Sequence, residues 1–160
     1  MEIHEIARWT AWPSLLCYAL AVGMRIGPRP GDWKAWSERI WLTGWLMLVF
    51  HIFVAMGAVH HWSLAEATRH TATQTQAAVG LNWGGGVWFN FATVAVWAWT
   101  LLPSRKRTLN PSRLNSLAQW YLAFMMFNAT VVFGTRVAQT AGAVICAGLL
   151  ARYLTPERPR

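Results

Sequence analysis

Acidic and basic side chains are withheld from five long stretches of this chain: residues 9–24, 40–65, 70–104, 114–135 and 137–151 contain no Asp, Glu, Lys or Arg. An α-helix needs about 20 apolar residues to cross a hydrocarbon core of roughly 30 Å, and an Arg or Asp at mid-helix costs on the order of 3 kcal/mol on insertion scales. Charge-free runs with cations at their ends therefore read as membrane helices. The pattern predicts spans over 9–24, 40–59, 83–102, 114–133 and 137–151. The first half of the run 70–104 is rich in Thr and Gln, so only its second half, from Trp83, is assigned to a span. One straight helix over 114–152 would be roughly 58 Å long at 1.5 Å per residue. A break at Gly134-Thr135-Arg136 divides it into two.

The punctuation between the runs is legible. Gly27-Pro28-Arg29-Pro30-Gly31-Asp32 is incompatible with a helix. After Asp32, Trp33, Trp36 and Ile40 recur at helical spacing opposite Lys34, Glu38 and Arg39, which predicts a short surface stretch before the chain turns inward. Pro103 and the cluster Arg105, Lys106 and Arg107 close the third span, and Asn110-Pro111-Ser112 opens the fourth. Ser63 and Glu66 stand at capping-box spacing, predicting a polar helix over 64–79 that ends at Gly80.

Composition agrees with the pattern: 55% of the 160 residues are apolar and 12% charged, against about 25% charged in a soluble domain. The expected fold class is an all-α polytopic transmembrane bundle, five spans in one domain over 1–160 with a short outer surface helix. The net charge of +8 lies beside the apolar runs rather than on a face of its own, so the expected partner is a bilayer with anionic headgroups and not nucleic acid. With five spans, eleven of the fourteen cations fall on one side, and only Arg8, Arg69 and Arg136 on the other. By the positive-inside rule the N-terminus lies outside and the C-terminus in the cytoplasm of a cell inner membrane. Trp9, Trp12, Trp62 and Trp83 then fall near outer ends, and Trp41, Trp97, Trp99 and Trp120 near inner ends, as interfacial indoles do. Glu2 and Glu5 precede the first Arg, so the basic region of a cleavable signal peptide is absent. Cys17 and Cys146 both fall within spans, where no disulfide framework is expected.

Two polar constellations carry candidate chemistry. Counting inward at about 1.5 Å per residue, Asn90 and Asn128 lie roughly 10 Å below the outer face and His51 about 13 Å, with Ser14, Thr93 and Thr130 within a turn of that level. Polar groups in hydrocarbon need partners. Either this layer bonds helix to helix, or it converges on a small ligand such as a quinone head group. The second constellation is His60, His61, Glu66 and His70 in and beside the outer helix, imidazoles and a carboxylate of the kind that hold Zn²⁺ or Cu²⁺. HExxH and HxxxH spacings are both absent, and histidines at a membrane surface also serve as amphipathic interface residues. His51 is the one histidine at mid-membrane depth. On a regular helix His60 points 180° away from it, so haem b would need a non-His ligand or a second chain. The Gly84-Gly85-Gly86 run lacks the Lys-Ser/Thr of a phosphate loop and reads as a close-packing start to the third span.

The segment His51 to Trp97, with His60-His61-Trp62-Ser63, EATRHTATQT over 66–75, the glycine run and Trp88-Phe89-Asn90-Phe91, followed by FNATVVF over 127–133, resembles a family of small bacterial multi-pass membrane proteins without an assigned activity. The resemblance implies fold and topology. Its members tend to carry a second His after the Ser of the HHWS motif, where this chain has Leu64.

The leading functional expectation is an accessory subunit, associating with other membrane subunits or with itself, or a small-ligand site within the bundle. The rival is a redox or metal protein using His51 or the outer histidines. Catalysis is not indicated: Asp32, the sole Asp, is expected on the opposite side from His60 and His61, and no Asp or Glu lies in a span to relay protons.

Overall fold

The structure, a computed structural model, describes residues 3–26, 31–102 and 111–154. These form six helices and no strand: α1 (Ile3–Ile26), α2 (Trp33–Val54), α3 (Leu64–Val79), α4 (Gly86–Leu101), α5 (Pro111–Phe127) and α6 (Arg136–Leu154). A π-helical turn extends α2 over Ala55–Val59 and another extends α5 over Asn128–Val132. Pro103, the 105–107 cluster and most of the Gly27–Gly31 break lie outside the described residues. Trp33–Val59 is long and apolar enough to cross a membrane, with a mean hydropathy of 2.0, and Gly86–Leu101 is a shorter apolar helix.

The longest interface joins α1 to α2. It is made of small residues, which let two backbones approach closely. The Ser14 hydroxyl donates to the Gly44 carbonyl at 2.9 Å. Two turns along each antiparallel helix, the Ser37 hydroxyl donates to the Ala21 carbonyl at 3.5 Å. A Cβ on Gly44 would stand 3.0 Å from the Cys17 Cβ and 2.9 Å from Cζ2 of Trp97.

Residues 33–40 correct an expectation. They form no separate surface stretch but the first turns of α2. No Gly or Pro interrupts them, and Ser37 is buried against α1. Arg25 of α1 reaches across, its Nε donating to Ser37 Oγ at 3.2 Å and its guanidinium 4.1 Å above the Trp41 ring.

The core is aromatic. Tyr18, Trp41 and Trp97 pack with Leu122, Met126 and Ala21; Trp41 and Trp97 have ring centroids 4.9 Å apart, and Tyr18 meets Trp97 edge-on at 5.8 Å. Trp97 is 0% and Trp41 2% exposed, so these two indoles are core residues rather than members of an interfacial belt. The Trp41 indole N–H donates to Thr100 Oγ1 at 2.9 Å and that of Trp45 to the Val94 carbonyl at 3.1 Å. Trp97 Nε1 has no hydrogen-bond partner among the described residues.

The polar helix lies where capping chemistry sets it. Ser63 Oγ accepts from the Glu66 N–H at 3.2 Å, and Gly80, with φ +76°, sends its N–H to the Gln76 carbonyl. Helix α3 packs on α4. The glycine run makes that contact possible: a Cβ on Gly84 would collide with Thr68, and one on Gly86 would stand 2.9 Å from the Thr71 methyl. The break falls at 133–135 and separates α5 and its π-helical turn from α6, which folds back so that Gly142 seats against Thr130.

Candidate functional site

Four of the six residues of the expected polar layer reach one cavity. It has a volume of about 180 Å³ and opens between α1, α2, α4 and α5. Ser14, His51, Asn90 and Thr93 line it among Leu48, Ile52, Val87 and three methionines, Met56, Met125 and Met126, and His60 and Thr71 stand at its α3 end. The cavity is mainly apolar with a few convergent polar groups, the usual make-up of a small-molecule site.

Asn128 and Thr130 do not line it. The Asn128 amide donates to the Phe124 carbonyl of its own helix at 2.8 Å, and the Thr130 hydroxyl donates to the Met126 carbonyl at 2.8 Å while its side chain faces Gly142 of α6. Both side chains thus donate to carbonyls one turn back in their own helix.

The described hydrogen bond of His51 runs through Nδ1, which lies 2.9 Å from Oγ1 of Thr10. The Thr10 hydroxyl in turn donates to the Ala7 carbonyl at 2.6 Å. This relay from α2 to α1 fixes the imidazole plane. In the sequence Thr10 is one Thr near a helix start; only the antiparallel pairing of Ser14 with Gly44 brings it opposite His51.

His60 corrects a second expectation. A regular helix would turn it 180° from His51, yet both line the same cavity. The π-helical turn between them carries more residues per turn than an α-helix, so it changes the angular register, and such turns cluster at functional sites. The His60 N–H closes that turn on the Ala55 carbonyl at 3.1 Å. The chain then reverses through His61 and Trp62, both left-handed, with φ +46° and +59°. That conformation is uncommon and costs energy in residues bearing a Cβ. Here the Trp62 ring folds back on Phe53 at 4.9 Å, and Gly57 leaves room for it.

The outer metal set is not assembled. His60 and His70 approach, their ring centroids 5.2 Å apart, but His61 is exposed. Among the described residues no three His, Cys, Asp or Glu side chains form a group able to hold a metal ion. Cys17 and Cys146 are free thiols. At the other end of α2 a polar cavity of about 400 Å³ is lined by Arg25, Lys34, Ser37, Glu38, Asn115 and Gln119. No protein-family model, curated protein or solved structure matches the chain.

Proposed function

We propose that the chain is a polytopic membrane protein that binds a small molecule in the cavity beside His51. In this reading α1, α2, α4, α5 and α6 cross the inner membrane of a bacterial cell, with the N-terminus outside, the C-terminus in the cytoplasm and α3 lying over the outer mouth. The observation that carries it is the convergence of Ser14, His51, Asn90 and Thr93, from three helices, on one largely apolar cavity.

Two features support hydrocarbon as the surrounding medium. Only 11% of the most apolar window of Trp33–Val59 is buried inside the protein, whereas the core helix of a water-soluble domain is largely covered. Leu42, Leu46, Phe50 and Phe53 form an outward stripe on α2, and Leu117, Trp120, Phe124 and Phe127 another on α5. Contiguous apolar faces of that kind are rare on soluble monomers. The same outer walls leave room for association with other membrane subunits or with a second copy.

Benzene tests the cavity, because a cavity of comparable size with apolar walls takes one such ring. It should raise the melting temperature of the detergent-solubilised protein and leave that of Ala11→Phe, whose new ring occupies the space, unchanged. No shift in the unmodified protein removes the reading.

A further inference from the structure

We infer that the cavity is built for a hydrogen-bond donor: a single ring bearing a hydroxyl, a phenol or a quinol rather than a quinone, with that hydroxyl donated to Nε2 of His51. The inference rests on the proposed cavity reading and adds the ligand's chemistry.

The argument is an account of protons. A hydroxyl has one hydrogen to give and two lone pairs to accept with. At 2.6 Å from the Ala7 carbonyl, Thr10 Oγ1 must place its hydrogen there, because two bare oxygens at that separation repel. Thr10 therefore meets His51 Nδ1, 2.9 Å away, with a lone pair, and Nδ1 must carry the N–H. In a neutral imidazole the other nitrogen is then an acceptor. The relay fixes a tautomer, and the tautomer leaves Nε2 as a lone pair on the ring that lines the cavity.

The neighbouring hydroxyls are committed in the same sense. Ser14 spends its proton on the Gly44 carbonyl at 2.9 Å. Thr93 spends its proton on the Phe89 carbonyl at 2.7 Å. Each offers the cavity lone pairs alone. Asn90 has both functions, as by their chemistry do His60 and Thr71 at the α3 end of the cavity. Beside His51, Ser14 and Thr93 a quinone or ketone, which only accepts, meets three acceptors; a hydroxyl finds partners there. The space of about 180 Å³ suits one six-membered ring, and the methionines and aliphatic side chains around it suit that ring's faces.

The test uses the full-length protein in nanodiscs and three probes. Phenol should bind, and anisole, the same ring with its donor methylated, should bind about tenfold more weakly, the loss expected of one buried hydrogen bond. A ¹⁵N-histidine spectrum, with the His51 signals assigned by their absence from His51→Gln, should show the protonated nitrogen at Nδ1; this needs no variant to hold ligand. Thr10→Val removes the acceptor that fixes the tautomer and should bring phenol and anisole toward parity. The third probe, 4-octylphenol, separates the sources: affinity above that of phenol after correction for partitioning marks a ring delivered from the lipid, and equal affinity marks one delivered from water. Equal binding of phenol and anisole, or a proton on Nε2, overturns the inference while benzene binding leaves the cavity reading in place. Failure of benzene, phenol and anisole alike overturns both.

Discussion

Ser14 and Gly44 meet at 2.9 Å, hydroxyl to carbonyl, where α1 crosses α2. That contact exists because position 44 has no side chain, and the same vacancy admits the ring of Trp97 from α4. Three helices are thus held at one residue. Gly44→Val should destabilise the protein by about 3 kcal/mol or more, beyond the usual cost of overpacking because two neighbours must move together. Thermal unfolding in detergent measures it, and a melting temperature within error of the unmodified protein would refute this packing.

Trp97 supplies a contrast between size and polarity. Fully buried, it packs on Tyr18 and Trp41, and its indole N–H has no hydrogen-bond partner among the described residues. Trp97→Ala should cost about 3–5 kcal/mol through the cavity left behind. Trp97→Phe should cost much less, since it keeps most of the ring contact and removes an unsatisfied donor. Equal losses for the two variants would mean that the N–H has a partner.

Most of the helices are legible in the sequence because their ends have local causes. Ser63, Glu66 and Gly80 delimit α3, and Gly134-Thr135 separates α5 from α6, by capping and breaking effects that act within a few residues. The missing surface stretch at 33–40 is different: its amphipathic pattern fits either a surface helix or a helix packed on Ala21 and Arg25 of α1, and only the partner decides. The candidate site was half legible for the same reason. Depth along a helix can be counted, and it picks out Ser14, His51, Asn90 and Thr93; it says nothing of the angle at which Asn128 and Thr130 face. The π-helical turns alter that angle, bringing His60 beside His51, and Thr10 acquires its role only through the register of α1 on α2.

Asn128 and Asn90 should therefore behave differently although their expected depths are equal. Asn90 lines the cavity and Asn128 bonds its own helix. Asn128→Ala should leave phenol affinity unchanged, while Asn90→Ala should weaken it about threefold to tenfold, the effect of one modest hydrogen bond. Calorimetric titration of both variants decides, and a loss on Asn128→Ala alone would reverse the assignment.

Ser63 offers a local test of the α3 cap. Ser63→Ala removes the acceptor of the Glu66 N–H and should cost about 1 kcal/mol, expressed as faster hydrogen exchange in the first turn of α3 with α1 and α2 unaffected. Uniform acceleration across the protein would instead mean that the cap supports the whole fold.

The most direct test of the account is the side of the membrane on which each connection lies. Topology reporters fused after residue 80, within 103–110, after residue 134 and at the C-terminus should read outside, inside, outside and inside in turn, as five crossings require. The same side for residue 80 and 103–110 would mean that α4 does not cross, and the five-span bundle would fall with it.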